Sequence, residues 1–161
     1  MADGTAGNRT VSDRLVALGI TLPPVAAPVA AYVPAVQAGD LVFTSGQLPF
    51  ADGALPATGT VGEDAAVSPE DAASYARTAT LNALAAIDDL VGVDRVRQIV
   101  KVVGFVASAP GFGGQPAVVN GASDLLGEIF GEAGAHARSA VGVAELPLGS
   151  PVEVELVVRV S

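Results

Sequence analysis

The most constraining stretch of this chain is a helix whose inner face is built almost entirely from methyl groups. Ser68-Pro69-Glu70-Asp71 reads as a helix start. The Ser68 hydroxyl serves an unpaired N–H, proline suits the first turn, and two carboxylates sit at the positive end of the helix dipole. The pattern predicts a helix running to about Leu90 and stopped by Gly92, with Ala72, Ala76, Ala79, Ala83, Ala86 and Leu90 on one stripe. Such a thin face lets a helix lie close against a sheet.

The flanking segments supply that sheet. Ala35 to Ala38 is a short strand, Gly39-Asp40 a tight turn, and Leu41 to Gln47 the next strand, whose end turns polar at Thr44, Ser45, Gly46 and Gln47. Gly46 has no Cβ, so a ligand can approach its backbone. Pro49 to Glu63 is a loop. Arg95 to Ser108 is a long strand in which Gly104 marks a bulge or a close contact. Ala109 to Gly114 is a loop, and Pro116 opens a second helix through Phe130 with Val118, Val119, Ala122, Leu125, Leu126 and Ile129 facing inward. A final hairpin is expected from Ser139 to Leu146, a turn over Pro147 to Pro151, and Val152 to Val160. Upstream, residues 1–10 are expected to form a disordered tail. Ser12 caps a short helix that carries Leu15 and Leu18 and ends at Gly19. Thr21 to Pro34, with four prolines, crosses the surface as an extended segment. The resulting order, β-β-α-β-α-β-β, predicts one α+β domain over 11–161, with two helices on one face of a mixed sheet.

Composition bounds the rest. Hydrophobic residues make up 50% of the chain but aromatic residues only 4%, so the core is Val, Ala and Leu. Charged residues are 16%, below the usual quarter, which implies that some surface is buried against another subunit. The sheet face away from the helices is the natural place, because no third long helix exists to cover it. The net charge of −9 repels phosphate backbones and argues against nucleic-acid binding. With no Cys and a single His, His136, thiolate metal sites, Cys nucleophiles and His-based metal sites are excluded. The start, Met1-Ala2-Asp3-Gly4, has no basic and apolar regions of a signal peptide, and no apolar run approaches a membrane span, so a cytoplasmic protein is expected.

Two stretches carry candidate chemistry. Arg138 leaves a Gly- and Ala-rich loop and enters a nearly uncharged strand. Its guanidinium is a planar fork able to grip a carboxylate with two parallel hydrogen bonds. Glu153 and Glu155 share one face of a strand otherwise made of Val and Leu, and a half-sunk carboxylate there can orient or activate water. In a hairpin centred near Gly149, Glu153 would face about Glu145. Arg138 would then lie roughly 20–25 Å away along the partner strand, so a shared pocket would need a bulge or two chains. The bland alternatives are a surface arginine and a solvated outer strand face. Ser45 lacks a neighbouring base and is a poor nucleophile candidate, whereas Gly46 can offer its backbone N–H to a carboxylate. His136 reads as an exposed loop residue, with a proton shuttle as the alternative role. Gly111-Phe112-Gly113-Gly114 lacks the Lys and Ser/Thr of a phosphate loop and reads as a mobile lip over the pocket.

Three blocks together resemble the reactive-intermediate deaminase (Rid, or YjgF-type) family. They are Tyr32-Val33 with Gly39-Asp40-Leu41-Val42-Phe43-Thr44-Ser45-Gly46-Gln47-Leu48-Pro49; Val119-Asn120; and Ala137-Arg138-Ser139 through Glu145-Leu146-Pro147 to Val152-Glu153-Val154-Glu155. The resemblance, which covers about Ala31 to Val160, implies a chorismate-mutase-like subunit, a homotrimer with pockets between subunits, and no metal or organic cofactor. It implies hydrolysis of enamines and imines such as 2-aminoacrylate to 2-keto acids and ammonia. It assigns Arg138 to the substrate carboxylate, Glu153 to water, and Tyr32, Ser45, Gly46 and Asn120 to the pocket. Ala140 stands where the family often has Cys, so only its backbone can serve. The loop Pro110 to Gln115 and the interval from Asn120 to Arg138 are longer than in the best-known deaminases, as in a side branch of the family. The alternatives are a non-catalytic trimer that binds small carboxylates and a ribonuclease, a label attached to this family; the acidic charge makes the ribonuclease the weakest.

Overall fold

The structure is a computed structural model that describes residues 9–25 and 31–161. Its elements are α1 (Val11–Ala17), β1 (Ala35–Ala38), β2 (Leu41–Thr44), α2 (Pro69–Val91), β3 (Val96–Ala107), α3 (Gln115–Phe130), β4 (Ala137–Val143) and β5 (Val152–Val160). The strands form one sheet in the order β1-β2-β5-β3-β4. All neighbouring pairs are antiparallel except β3 and β4, which run parallel across the α3 connection. This is the mixed α+β fold expected from the sequence, with α2 and α3 packed on one face.

The alanine face does what its size allows. Ser68 Oγ accepts the Asp71 N–H at 3.1 Å, and Pro69 opens the helix. Ala72, Ala76, Ala79, Ala83 and Ala86 are buried. Leu90 departs from the expected stripe and is exposed in the last turn of the helix. Alternation along β5 places Val152, Val154, Leu156, Val158 and Val160 in the core and turns Glu153, Glu155, Val157 and Arg159 to the opposite, open face. Glycines permit two close approaches. A Cβ on Gly104 would overlap the Val119 side chain of α3, and a Cβ on Gly121 would overlap the backbone carbonyl of Ala73 in α2. Gly104 is thus a close contact, while the irregularities of β3 fall between Val96 and Gln98 and between Ile99 and Lys101.

Several local expectations change. The helix α1 is capped by Thr10, whose hydroxyl accepts from Asp13 N while the Asp13 carboxylate accepts from Thr10 N, each at 3.1 Å. Ser12 lies inside the helix and binds Asp94 instead. Thr10 therefore belongs to ordered structure; residues 1–8 of the expected tail, like residues 26–30 of the proline-rich crossing, lie outside the described residues. The helix α3 begins at Gln115, with Gly114 at its cap. The largest correction concerns the end of the chain, where β4 and β5 form no hairpin. β3 lies between them, so Glu153 faces Phe105 rather than Glu145, and Arg138 is paired with Val102. Sequence adjacency favoured the hairpin, but β5 gains two hydrogen-bonded neighbours by inserting between β2 and β3.

If the α2–α3 contact depends on the missing Cβ of Gly121, Gly121→Ala destabilises the protein by about 1–3 kcal/mol through overpacking. Gly127→Ala, on the same helix with open space around it, stabilises by about 1 kcal/mol through helix propensity. Urea unfolding of the two variants checks the contrast; equal effects would refute the close approach.

Candidate active site

The polar end of β2 is a bulge. Phe43 faces Val157 and Gln47 faces Val154, so four steps on one side match three on the other. The Thr44 hydroxyl fills the gap in the ladder by accepting Leu156 N–H at 2.9 Å. Ser45 is tied to the segment before β1: its N–H donates to Pro34 O at 2.8 Å and its hydroxyl to Val33 O at 2.7 Å. Tyr32, next to Val33, is exposed. Asn82, buried on α2, fixes the chain after the bulge by donating from Nδ2 to Leu48 O at 2.9 Å and Phe50 O at 3.1 Å.

Glu153 lies against this bulge. Its carboxylate occupies the space a side chain on Gly46 would need, since a Cβ there would overlap Glu153 Oε1. The glycine thus makes room for the protein's own acid. Burial pushes the Glu153 carboxyl above the ordinary range, and the charge of Glu155 on the same face adds to the shift. A raised carboxyl pKa is a property of groups that exchange protons with a reactant.

Arg138 occupies a different place. Paired with Val102, it points to the helix side, where Nη1 donates to Asn120 Oδ1 at 2.8 Å and to Ser123 Oγ at 3.1 Å. Ala140, paired with Gly104, faces the same side and packs against the core. His136 is not a free loop residue. Nε2 lies 2.9 Å from Ser123 Oγ, and Nδ1 lies 2.6 Å from Gly134 O.

The expected residues therefore form two groups within one chain. Glu153, Gly46 and Ser45 meet at the β2 bulge, with Tyr32 beside the segment that Ser45 anchors. Arg138, Asn120, Ser123 and His136 meet between α3 and the edge strand β4. Arg138 and Glu153 lie on opposite faces of the sheet and two strands apart. Two cavities occupy other places. One of 650 Å³ lies between Thr60–Ala65 and the Ala109–Gly114 loop. The other, of 810 Å³, is lined by Thr21–Val25, Phe50–Gly53 and α2. Neither is lined by Arg138 or Glu153. The loop read as a lip borders the first of them. It is held by Gln115 Nε2, which donates to Phe112 O at 2.7 Å. Ser123 and Asn82 escaped the sequence reading. The available signals were the i, i+3 spacing of Ser123 from Asn120 and the polar Asn82 within an apolar stripe. Among the described residues no group of His, Asp and Glu is arranged to hold a metal ion, and no helix is long and apolar enough to cross a membrane.

The shift of Glu153 has a signed consequence. A carboxyl whose folded pKa is raised binds more protons folded than unfolded, so its contribution to stability falls as pH rises above the ordinary value of 4.5. Glu153→Gln, which cannot ionise, is expected to raise the thermal unfolding midpoint at pH 7. The gain should shrink as pH falls toward 4.5. A gain independent of pH across that range would show that Glu153 is not desolvated.

Comparison with known proteins places this geometry. The family model described as "YjgF/chorismate mutase-like, putative endoribonuclease" matches residues 12–160. Protein TCP17 of Trypanosoma cruzi is 44% identical over 153 residues, 94% of each chain. The crystal structure of Atu1372, a protein of unknown function from Agrobacterium tumefaciens, superposes with a TM-score of 0.84 at 40% identity, covering 94% of this chain and 92% of that one. The YjgF gene product of Escherichia coli superposes with a TM-score of 0.61 at 30% identity, covering 86% and 93%. With the family model spanning nearly its whole length and the same fold in these relatives, the chain belongs to the YjgF/chorismate mutase-like family.

Proposed function

We propose that the protein is an enamine/imine deaminase that hydrolyses 2-aminoacrylate-type intermediates to 2-keto acids and ammonia, acting as a homotrimer with sites between subunits. The observation that carries the reading is Glu153. It is an acid with a raised pKa, pressed against Gly46 and set on a sheet face that no helix covers. A carboxylate placed there takes a proton from water as the water oxygen bonds to the imine carbon. It returns that proton to nitrogen to give a carbinolamine, then carries the remaining hydroxyl proton to nitrogen as the C–N bond breaks and the C=O bond forms, which leaves a keto acid and ammonia. Arg138 is the anchor for the substrate carboxylate, with Asn120 beside it. Tyr32, Ser45 and the backbone at Gly46 and Ala140 shape the remaining walls.

Two features support the trimer. The open face carries Val36, Phe43, Val103, Phe105, Val141 and Val157 between its charged residues, with Val36 50%, Val141 42% and Phe43 39% exposed in the single chain. A second chain on this face removes that surface from water. It also supplies a geometric need, because the guanidinium and the carboxylate of one chain do not share a cavity. The same separation favours the second reading, a non-catalytic trimer that binds small carboxylates. An RNA substrate is opposed by the net charge of −9.

Two measurements test the proposal. An assay that generates 2-aminoacrylate and related imines in situ is expected to show keto acid release by the wild type and its loss in Arg138→Ala. Binding of a keto acid without imine hydrolysis would establish the non-catalytic reading. Sedimentation of Val141→Asp is expected to show monomers where the wild type shows trimers; a monomeric wild type would remove the shared site.

A further inference from the structure

The contacts of Arg138 extend inward along a line of hydrogen bonds whose direction chemistry fixes. Gly134 O can only accept, so the proton of the His136–Gly134 bond resides on Nδ1. In the neutral ring Nε2 is then an acceptor, and Ser123 donates its hydroxyl proton to it. A serine oxygen that donates to histidine turns its lone pairs elsewhere, and Arg138 Nη1 occupies one of them at 3.1 Å. The second Nη1 hydrogen goes to Asn120 Oδ1 at 2.8 Å. Both hydrogens of Nη1 are thereby committed. The Nε–Nη2 edge, the other pair of parallel donors on a guanidinium, makes no hydrogen bond among the described residues.

We propose that Ser123 and His136 are positioning residues that lock the Arg138 guanidinium in rotation and reserve its Nε–Nη2 edge for a carboxylate ligand, an inference that rests on the reading of Arg138 as a carboxylate anchor. The backbone carbonyl of Gly134 sets the histidine tautomer, the histidine sets the serine proton, and the serine oxygen sets the guanidinium. Gly134 can hold that place because it has no side chain: a Cβ there would overlap the carbonyl of Leu126 in α3. The relay explains why the only histidine lies two residues before the arginine. It also assigns a ligand geometry, a carboxylate gripped side-on rather than at the tip of the guanidinium.

The test compares His136→Leu, which deletes the acceptor, with His136→Gln, which keeps an amide oxygen near the Nε2 position; Ser123→Ala is the second route to the same break. In protein with 15N-labelled arginine, the wild type and His136→Gln are expected to show separate Nη1 and Nη2 resonances for Arg138, the mark of hindered rotation. His136→Leu and Ser123→Ala should average them. Titrated with 2-oxobutanoate, the two breaking variants should bind about tenfold more weakly, and His136→Gln within about threefold of the wild type. Averaged resonances in the wild type would overturn the relay, as would equal losses in the Gln and Leu variants, the mark of a merely structural role. The two inferences separate cleanly. A wild type with locked Arg138 resonances that hydrolyses no imine keeps the relay and loses the deaminase; one that hydrolyses imines with a freely rotating Arg138 does the reverse.

Discussion

The architecture depends on the insertion of β5 between β2 and β3. This strand is hydrogen-bonded on both sides, buries every second residue under the helices, and carries the acid of the candidate site on its other face. Its position dictates the thinness of what packs on it. The α2 helix meets the sheet through alanine methyls, and α3 meets both the sheet and α2 where glycine leaves room. Small residues here are a packing requirement, and they account for a chain that is half hydrophobic with few aromatic residues.

That arrangement also explains how the candidate site is divided. Alternation along β5 sends Glu153 to the open face, whereas parallel pairing of β4 with β3 sends Arg138 to the helix face. The bulge at Thr44–Gly46 brings an otherwise regular strand end against the Glu153 carboxylate, and the Thr44 hydroxyl replaces the hydrogen bond that the bulge removes. The Glu153 half is therefore shaped by a backbone irregularity and the Arg138 half by a line of hydrogen bonds to α3 and His136, and the two are separate within a chain.

Much of this was legible in the sequence, for identifiable reasons. The α2 start is local chemistry, so Ser68, Pro69 and the two acids located it to the residue. Strand β1 and its turn into β2 follow from Gly39-Asp40, and the burial of α3 follows from its apolar spacing. The arrangement of β4 and β5 was not legible, because nothing near Gly149 records that β3 takes the place between them. That outcome belongs to long-range pairing, which adjacency in sequence cannot report. Arg138, Asn120 and Glu153 were singled out by residue type and motif. His136 was misjudged for the opposite reason: its partners are a helix serine 13 residues earlier and a backbone carbonyl, neither of which has a sequence signature.

The central strand follows every one of its neighbours in the chain. During synthesis β1 and β2 can pair at once, and β3 can meet β4, but each pair then ends in an unfilled ladder, one along β2 and one along β3. Until β5 arrives, the growing polypeptide carries two open edges facing a gap one strand wide, the state in which a foreign strand is most readily accepted. The acid at the candidate site rides on the segment that closes that gap.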